Sequence, residues 1–475
     1  MPEPTISPQP PAGAVRRSWR FLRQALAGTE EDFTQGSLGR AIGLLAIPMV
    51  LEMSMESIFA VVDVFFVARL GADAVATVGL TESVLTLVFA IAIGLSMATT
   101  AVVARRIGEK NREQASVTAV QAILLGLAVS AAIGVTGVWA APKILALMGA
   151  TPEVIAVGTP YTTLMTGGSV TIVLLFLNNA IFRGAGDASV AMRSLWLANG
   201  INIVLDPCLI FGLGPFPELG LLGAAVATNT GRGIGVLYQF YCMFKGHGRI
   251  TIAGRHLRFN PSVTLRLLKV SAGGIMQFLI ATSSWIGLVR ILAIFGSSAL
   301  AGYTIAIRIA IFALLPSWGM GNAAATLVGQ NLGAGKADRA ERSVWLTSWY
   351  NMAFLGMVGI VFIFFAEAVV GIFTHDPAVL PIAADCLRVM AYGYAFYAIG
   401  MVIVQAFNGA GDTNTPTVIN FFCYWLLQIP LAYGLAQMAG LEERGVFLAI
   451  LVAEIVLTVT GVLVFRRGRW KNRQV

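Results

Sequence analysis

Three acidic side chains, Glu52, Glu56 and Asp63, stand in an otherwise almost wholly apolar run over residues 41–71. At about 100° per residue they fall within roughly 40° of one another on a helix, forming one acidic stripe. A carboxylate facing lipid costs several kcal/mol, so the stripe must face the protein interior or a wet cavity. A fourth acid, Asp206, follows Asn199 and Asn202 at i, i+3 and i+7, again on one helix face. Asn178 and Asn179 end another apolar run that Tyr161 begins, and Thr228 and Asn229 lie in a further one. Carboxylates gathered with amide and hydroxyl oxygens suit Na⁺, or a carboxyl that takes up and releases a proton. The alternative reading is an interhelical hydrogen-bond or ion-pair brace. Pro48 and Pro207 sit beside these acids. Each removes a backbone N–H and lets its helix bend.

The elements that must hold these residues are membrane helices. Of the 475 residues 57% are hydrophobic and 12% charged, against ~25% charged in a soluble domain. Twelve apolar segments are long enough to span ~30 Å, near 41–68, 76–103, 115–140, 155–180, 190–213, 221–244, 265–295, 299–328, 343–373, 380–406, 415–438 and 445–465. The expected fold is therefore an all-α polytopic membrane protein, with twelve transmembrane helices in two pseudo-symmetric six-helix lobes. With both termini in the cytoplasm, 25 of the 32 Lys and Arg fall in inward segments, and only Arg69, Lys143 and Arg444 in outward loops. This positive-inside bias accounts for the net charge of +8 without nucleic acid. The divisions are a cytoplasmic tail (1–38) with a short basic interfacial helix around 16–26, a first lobe (39–244), a cytoplasmic link (245–264), a second lobe (265–465) and a basic tail (466–475). Cys208, Cys242, Cys386 and Cys423 stand singly in apolar runs and read as buried small hydrophobes. His247, His256 and His375 fall in loops, where solvation is expected.

The chain repeats itself. Residues 94–115 align without gaps on 319–340, 182–187 (FRGAGD) on 407–412 (FNGAGD), and 70–79 on 295–304, all at an offset of 225. Three matches at one offset indicate duplication. Six helices per copy leave both lobes in the same orientation, related by a pseudo-two-fold along the membrane normal, with a cleft between them. The exceptions are informative: Asp63 maps to Leu288 and Asp206 to Leu431, so the deep aspartates belong to the first lobe alone. Glu454, the one deep acid of the second lobe, maps to Asn229. Glu52 and Glu56 are read as lining the cavity floor or capping neighbours. Arg232, Arg290 and Arg308 are expected to pair with Glu82, Glu367 or Glu454. In the two GAGD boxes Gly supplies a tight turn and Asp is expected to cap the next helix. No P-loop lysine accompanies them, so no nucleotide site is read there.

These features together, with VDVFFVARLG in the first span and GQNLGAGK after the eighth, resemble the multidrug and toxic compound extrusion (MATE) family over residues 35–465. The resemblance implies a cation-coupled antiporter exporting organic cations and other amphipaths. In the DinF-like branch it implies a cation site on Asp63, Tyr161, Asn179, Asn202, Asp206 and Thr228, with a first helix that bends at Pro48. Sodium would sit at Asp63, Asn202, Asp206 and Thr228. The acids of the NorM-like branch are missing from the seventh span, GGIMQFLIATSSWIGLV, and from the tenth, YGYAFYAIGMVIVQAF. The expected coupling ion is H⁺ or Na⁺, with no other cofactor, and the expected partners are the lipid bilayer and a small amphipathic or cationic substrate. Met276, Gln277, Phe278, Trp285 and Gln405 are candidate cavity-lining residues. A monomer in the bacterial or archaeal inner membrane is expected. A lipid-linked saccharide flippase would need a cationic cavity, and a prenyltransferase-type enzyme would need a DDxxD-like cluster, which the chain lacks.

Overall fold

The computed structural model describes residues 14–28, 31–245 and 248–473, whose regular structure is all helical, with no strand among them. A short amphipathic helix, α1 (Ala14–Ala27), precedes the bundle. Ala25 is buried and Phe21 packs on Gly43, while Trp19 is 69% exposed. The first lobe holds α2 (Leu38–Ala68), α3 (Ala72–Gly108), α4 (Arg112–Leu147), α5 (Pro152–Gly167), α6 (Ser169–Ala185), α7 (Ala188–Phe211) and α8 (Leu221–Phe244). The second holds α9 (Pro261–Leu292), α10 (Ser297–Gly333), α11 (Ala337–Gly371), α12 (Leu380–Tyr392), α13 (Tyr394–Gly409), α14 (Asn414–Met438) and α15 (Glu442–Arg466).

Among the described residues nine elements are long and apolar enough to cross a membrane, and the bent pair α12–α13 makes a tenth. The other two spans, α2 and α8, carry the polar groups that the sequence singled out. The helices outrun their apolar stretches by up to seven residues at either end, because a helix continues into polar sequence until a cap stops it. The fourth span breaks in each lobe at an equivalent glycine, Gly168 and Gly393, and the second break bends by 59°. In the first lobe Asn229 bridges the break, donating to the Leu164 carbonyl at 3.3 Å and accepting from the Thr171 hydroxyl at 3.1 Å. In α14 the winding loosens to a π-type pattern over Phe421–Gln428, just before Pro430.

The lobes interlock. The first helix of each lobe packs on the second helix of the other, α2 on α10 and α9 on α3. An added Cβ at Gly319 would lie 2.6 Å from the Met49 carbonyl oxygen, and one at Gly274 would lie 3.0 Å from the Gly94 Cα. At the end of the bundle that carries the basic loops, α3 and α10 touch backbone to backbone. A Cβ on Gly108 would overlap the Gln330 carbonyl, and one on the equivalent Gly333 would overlap the Arg105 carbonyl. At the opposite end Gly79 faces open space. The basic end is thus shut by contacts only glycine permits. Gly333→Ala is expected to destabilise the protein by about 1–3 kcal/mol through overpacking. Thermal unfolding in detergent would check this, and an unchanged midpoint would show the crossing to be looser than described.

Both polypeptide tails tie the lobes together at this end. Arg249 donates to the carbonyls of Ala185, at 2.9 Å, and Glu31, and its guanidinium lies over Phe33. Lys336 and Arg339, from the second lobe, hold the carbonyls of Thr34, Phe33, Gln35 and Gly36. Arg473 donates to Asp412 at 3.0 Å while its carbonyl accepts from Arg105 at 2.6 Å.

Several expectations are corrected. Gly186 and Gly411 do make left-handed turns, with φ of 89° and 81°. The aspartates that follow do not cap the next helix, however. Asp412 instead accepts from Thr415 and Arg473. His256 is buried at 3% exposure, not solvated: Nε2 meets Glu113 at 2.9 Å and Nδ1 accepts from the Ala253 N–H at 3.1 Å. His375 is exposed, and His247 lies outside the described residues, as do 1–13 of the expected tail. Glu367 pairs with Arg388 at 2.9 Å, and Glu454 with tyrosines. Cys386 and Cys423 are buried, whereas Cys208 and Cys242 are only partly so.

Candidate functional site

The polar residues of the first lobe form two adjoining groups. The first surrounds Asp206, which α7 presents one residue before Pro207. Asp206 is 0% exposed, and neither carboxylate oxygen has a hydrogen-bond partner among the described residues. Asn202, one turn earlier, donates to the Thr228 hydroxyl on α8 at 2.9 Å and leaves its own buried carbonyl oxygen without a partner. Asp63 on α2 is close enough to Asp206 for their charges to interact. Buried Tyr161 on α5 lies within electrostatic reach of both. Arg232 on α8 balances the group, facing Glu56, Asp63 and Glu82, with its guanidinium 6.0 Å from the Phe89 ring. Glu82 also faces Arg308, so Arg232 and Arg308 meet the expected partner Glu82.

A bare carboxylate with no donor costs several kcal/mol to bury. The free oxygens here belong to a carboxylate and an amide, with a hydroxyl beside them. That donor set fits a hard monovalent cation, and it fits a proton on the carboxylate equally. It does not fit a transition metal: among the described residues no trio of His, Cys, Asp or Glu is gathered to hold one.

The second group surrounds Glu52, buried at 1% exposure. Its Oε1 accepts from Arg183 and from Asn179, both at 3.0 Å. Asn179 in turn accepts from Gln239 at 2.6 Å. Asn179, expected beside Asp206, is therefore bonded into the Glu52 group. Glu56 accepts from Asn199 at 3.0 Å. Sequence reading missed Arg183 and Gln239. The signal for Arg183 was in the repeat: at the offset of 225, Glu52 becomes Gln277 and Arg183 becomes Asn408. In the second lobe those two amides bond to each other at 2.9 Å, so an ion pair has been exchanged for a neutral pair.

Between the lobes lies a cavity of about 240 Å³, with Glu52, Glu56 and Arg183 on one side, Gln405 and Asn408 on the other, and Phe89, Phe176 and Trp318 around them. Gln277 and Phe278 line an adjoining space of about 280 Å³, and Trp285 a third of about 220 Å³. Met276 lines none of these and is 49% exposed, because it lies a quarter-turn round α9 from Gln277. Pro48 is buried within α2, which stays helical from Leu38 to Ala68. The helix is therefore unbroken in this conformation.

A family model described as MatE matches residues 48–208 and, a second time, residues 274–434. The chain belongs to the MATE family. As a MATE protein it is a multi-pass membrane transporter, and each of the two matches falls within one lobe. It is 28% identical over 440 residues to a probable multidrug resistance protein NorM of Thermotoga maritima, covering 91% of this chain and 93% of that one. It is 26% identical over 422 residues to an FAD transporter of Shewanella oneidensis, covering 89% and 93%. Among solved structures it superposes with a TM-score of 0.88 on a multidrug resistance MATE transporter described as outward-facing, at 27% identity, covering 94% of this chain and all of that one.

Proposed function

We propose that this MATE protein is a secondary active antiporter that exports organic cations and amphipathic drugs in exchange for H⁺ or Na⁺. One observation carries the reading: Asp206, wholly buried and without a hydrogen-bond partner among the described residues, lies within electrostatic reach of Asp63. Such a pair holds two negative charges only at a cost, and uptake of a proton or a sodium ion relieves it. The basic end, cytoplasmic by the positive-inside bias, is shut by the Gly108 and Gly333 crossing. The conformation is thus the one in which the site would load from outside. Ion uptake cancels the attraction of the aspartates for a cationic substrate, α2 bends at Pro48, and the substrate leaves outward. Return through the inward-open state releases the ion. One charge moving through 100 mV supplies ~2.3 kcal/mol.

The cavity walls suit this cargo, since aromatic and apolar groups surround a few carboxylates. A flippase for lipid-linked saccharides would need a net positive cavity, but Arg183 is neutralised by Glu52, and Arg232 faces three acids. The chain acts as a monomer in a bacterial or archaeal inner membrane, with both termini in the cytoplasm, and it carries out no enzymatic step.

The test is uptake of ethidium into proteoliposomes under an imposed pH gradient or an imposed Na⁺ gradient, each with the other ion clamped. One gradient is expected to drive accumulation. Equal fluxes with and without both gradients would overturn ion coupling.

A further inference from the structure

The second lobe has leucines where the first has its two deep aspartates, yet it holds a buried acid of its own within its spans. Glu454 on α15 is 4% exposed. Its Oε1 accepts from the Tyr424 hydroxyl on α14 at 3.0 Å, and the Tyr397 hydroxyl on α13 reaches the same carboxylate. Two spaces meet at this side chain. One, of about 220 Å³, is walled by Trp285, Tyr303, Tyr397 and Tyr424. The other, of about 280 Å³, includes Phe278 and shares Met97, Trp318, Gln405 and Asn408 with the cavity between the lobes. Neither lining includes Lys or Arg.

Bracing does not account for this acid. Its equivalent in the first lobe, Asn229, spans the broken fourth helix with neutral amide bonds. A carboxylate in that position adds a charge that bracing does not need. A lone buried carboxylate among aromatic side chains, on a path from the central cavity, is a surround suited to an organic ammonium or phosphonium ion. The carboxylate supplies the charge and the π faces stabilise a cation that has shed its water.

We infer that Glu454, with Trp285, Tyr397 and Tyr424, forms a second-lobe subsite for the cationic group of a monovalent organic cation, separate from the Asp63–Asp206 ion site. This rests on the antiport reading for its place in the cycle, but binding tests it alone. The probes are tetraphenylphosphonium and its anionic counterpart of equal size, tetraphenylborate, titrated against the full-length protein in detergent. Native protein is expected to prefer the phosphonium. Glu454→Gln should weaken phosphonium binding at least tenfold, with tetraphenylborate binding unweakened. Trp285→Ala, at a side chain 44% exposed and so tolerant of truncation, should weaken phosphonium binding about fivefold. It serves as the deciding variant where Glu454→Gln does not fold. Native-like phosphonium binding by either variant overturns the subsite. Gradient-independent transport together with Glu454-dependent binding would sink the antiport reading and leave the subsite standing.

Discussion

Asp206→Asn abolishes ion-driven transport and leaves the protein as stable as before, or more so. The substitution keeps the shape of the side chain and removes only its ability to carry charge. Asp206 has no hydrogen-bond partner to lose among the described residues, and the charge of Asp63, which reaches it, repels it. What disappears is the interaction with the coupling ion. A contact to a buried charge is worth about 1.5–3 kcal/mol, so ion affinity should fall by about 100-fold. Asp63→Asn acts in the same direction but less, by about tenfold, because Asp63 is only partly buried and already faces Arg232. The measurement is initial ethidium flux in proteoliposomes against the driving-ion concentration. Native ion dependence in Asp206→Asn would remove this residue from the coupling site.

Glu52→Gln should destabilise the protein by about 3–5 kcal/mol, because it leaves the Arg183 guanidinium buried without a counter-charge. Arg183→Asn alone strands Glu52 in the same way. The double variant Glu52→Gln/Arg183→Asn recreates in the first lobe the pair that Gln277 and Asn408 make in the second, and should recover most of the loss. Thermal unfolding of the four proteins gives the coupling energy as a double-mutant cycle. Strictly additive losses would mean that the two side chains act separately, and the 3.0 Å contact would then carry no energy of its own.

The twelve spans were legible because membrane helices announce themselves by length and apolarity, and the duplication because three blocks share one offset. The same offset exposed Asp63 and Asp206 as features of one lobe. It held the Glu52–Arg183 exchange as well, but only when two columns 131 residues apart are read together. The partners of short polar loops were not legible. His256 meets Glu113, which α4 brings to it, and Asp412 meets Arg473, which the C-terminal tail delivers. Nothing local to either residue signals those arrivals. Met276 misled for a simpler reason, since a single step along a helix turns a side chain by about 100° from the wall it was expected to line.

The crossing of Gly108 and Gly333 has an evolutionary corollary. Each glycine meets a carbonyl at a position equivalent to the one its twin meets, Gln330 on one side and Arg105 on the other. The surface is self-complementary, as in an isologous homodimer. A half-length precursor bearing this one patch would already have closed on a second copy of itself. Gene fusion then had no new interface to invent, and the halves were free to come to differ in their buried acids without disturbing the seal.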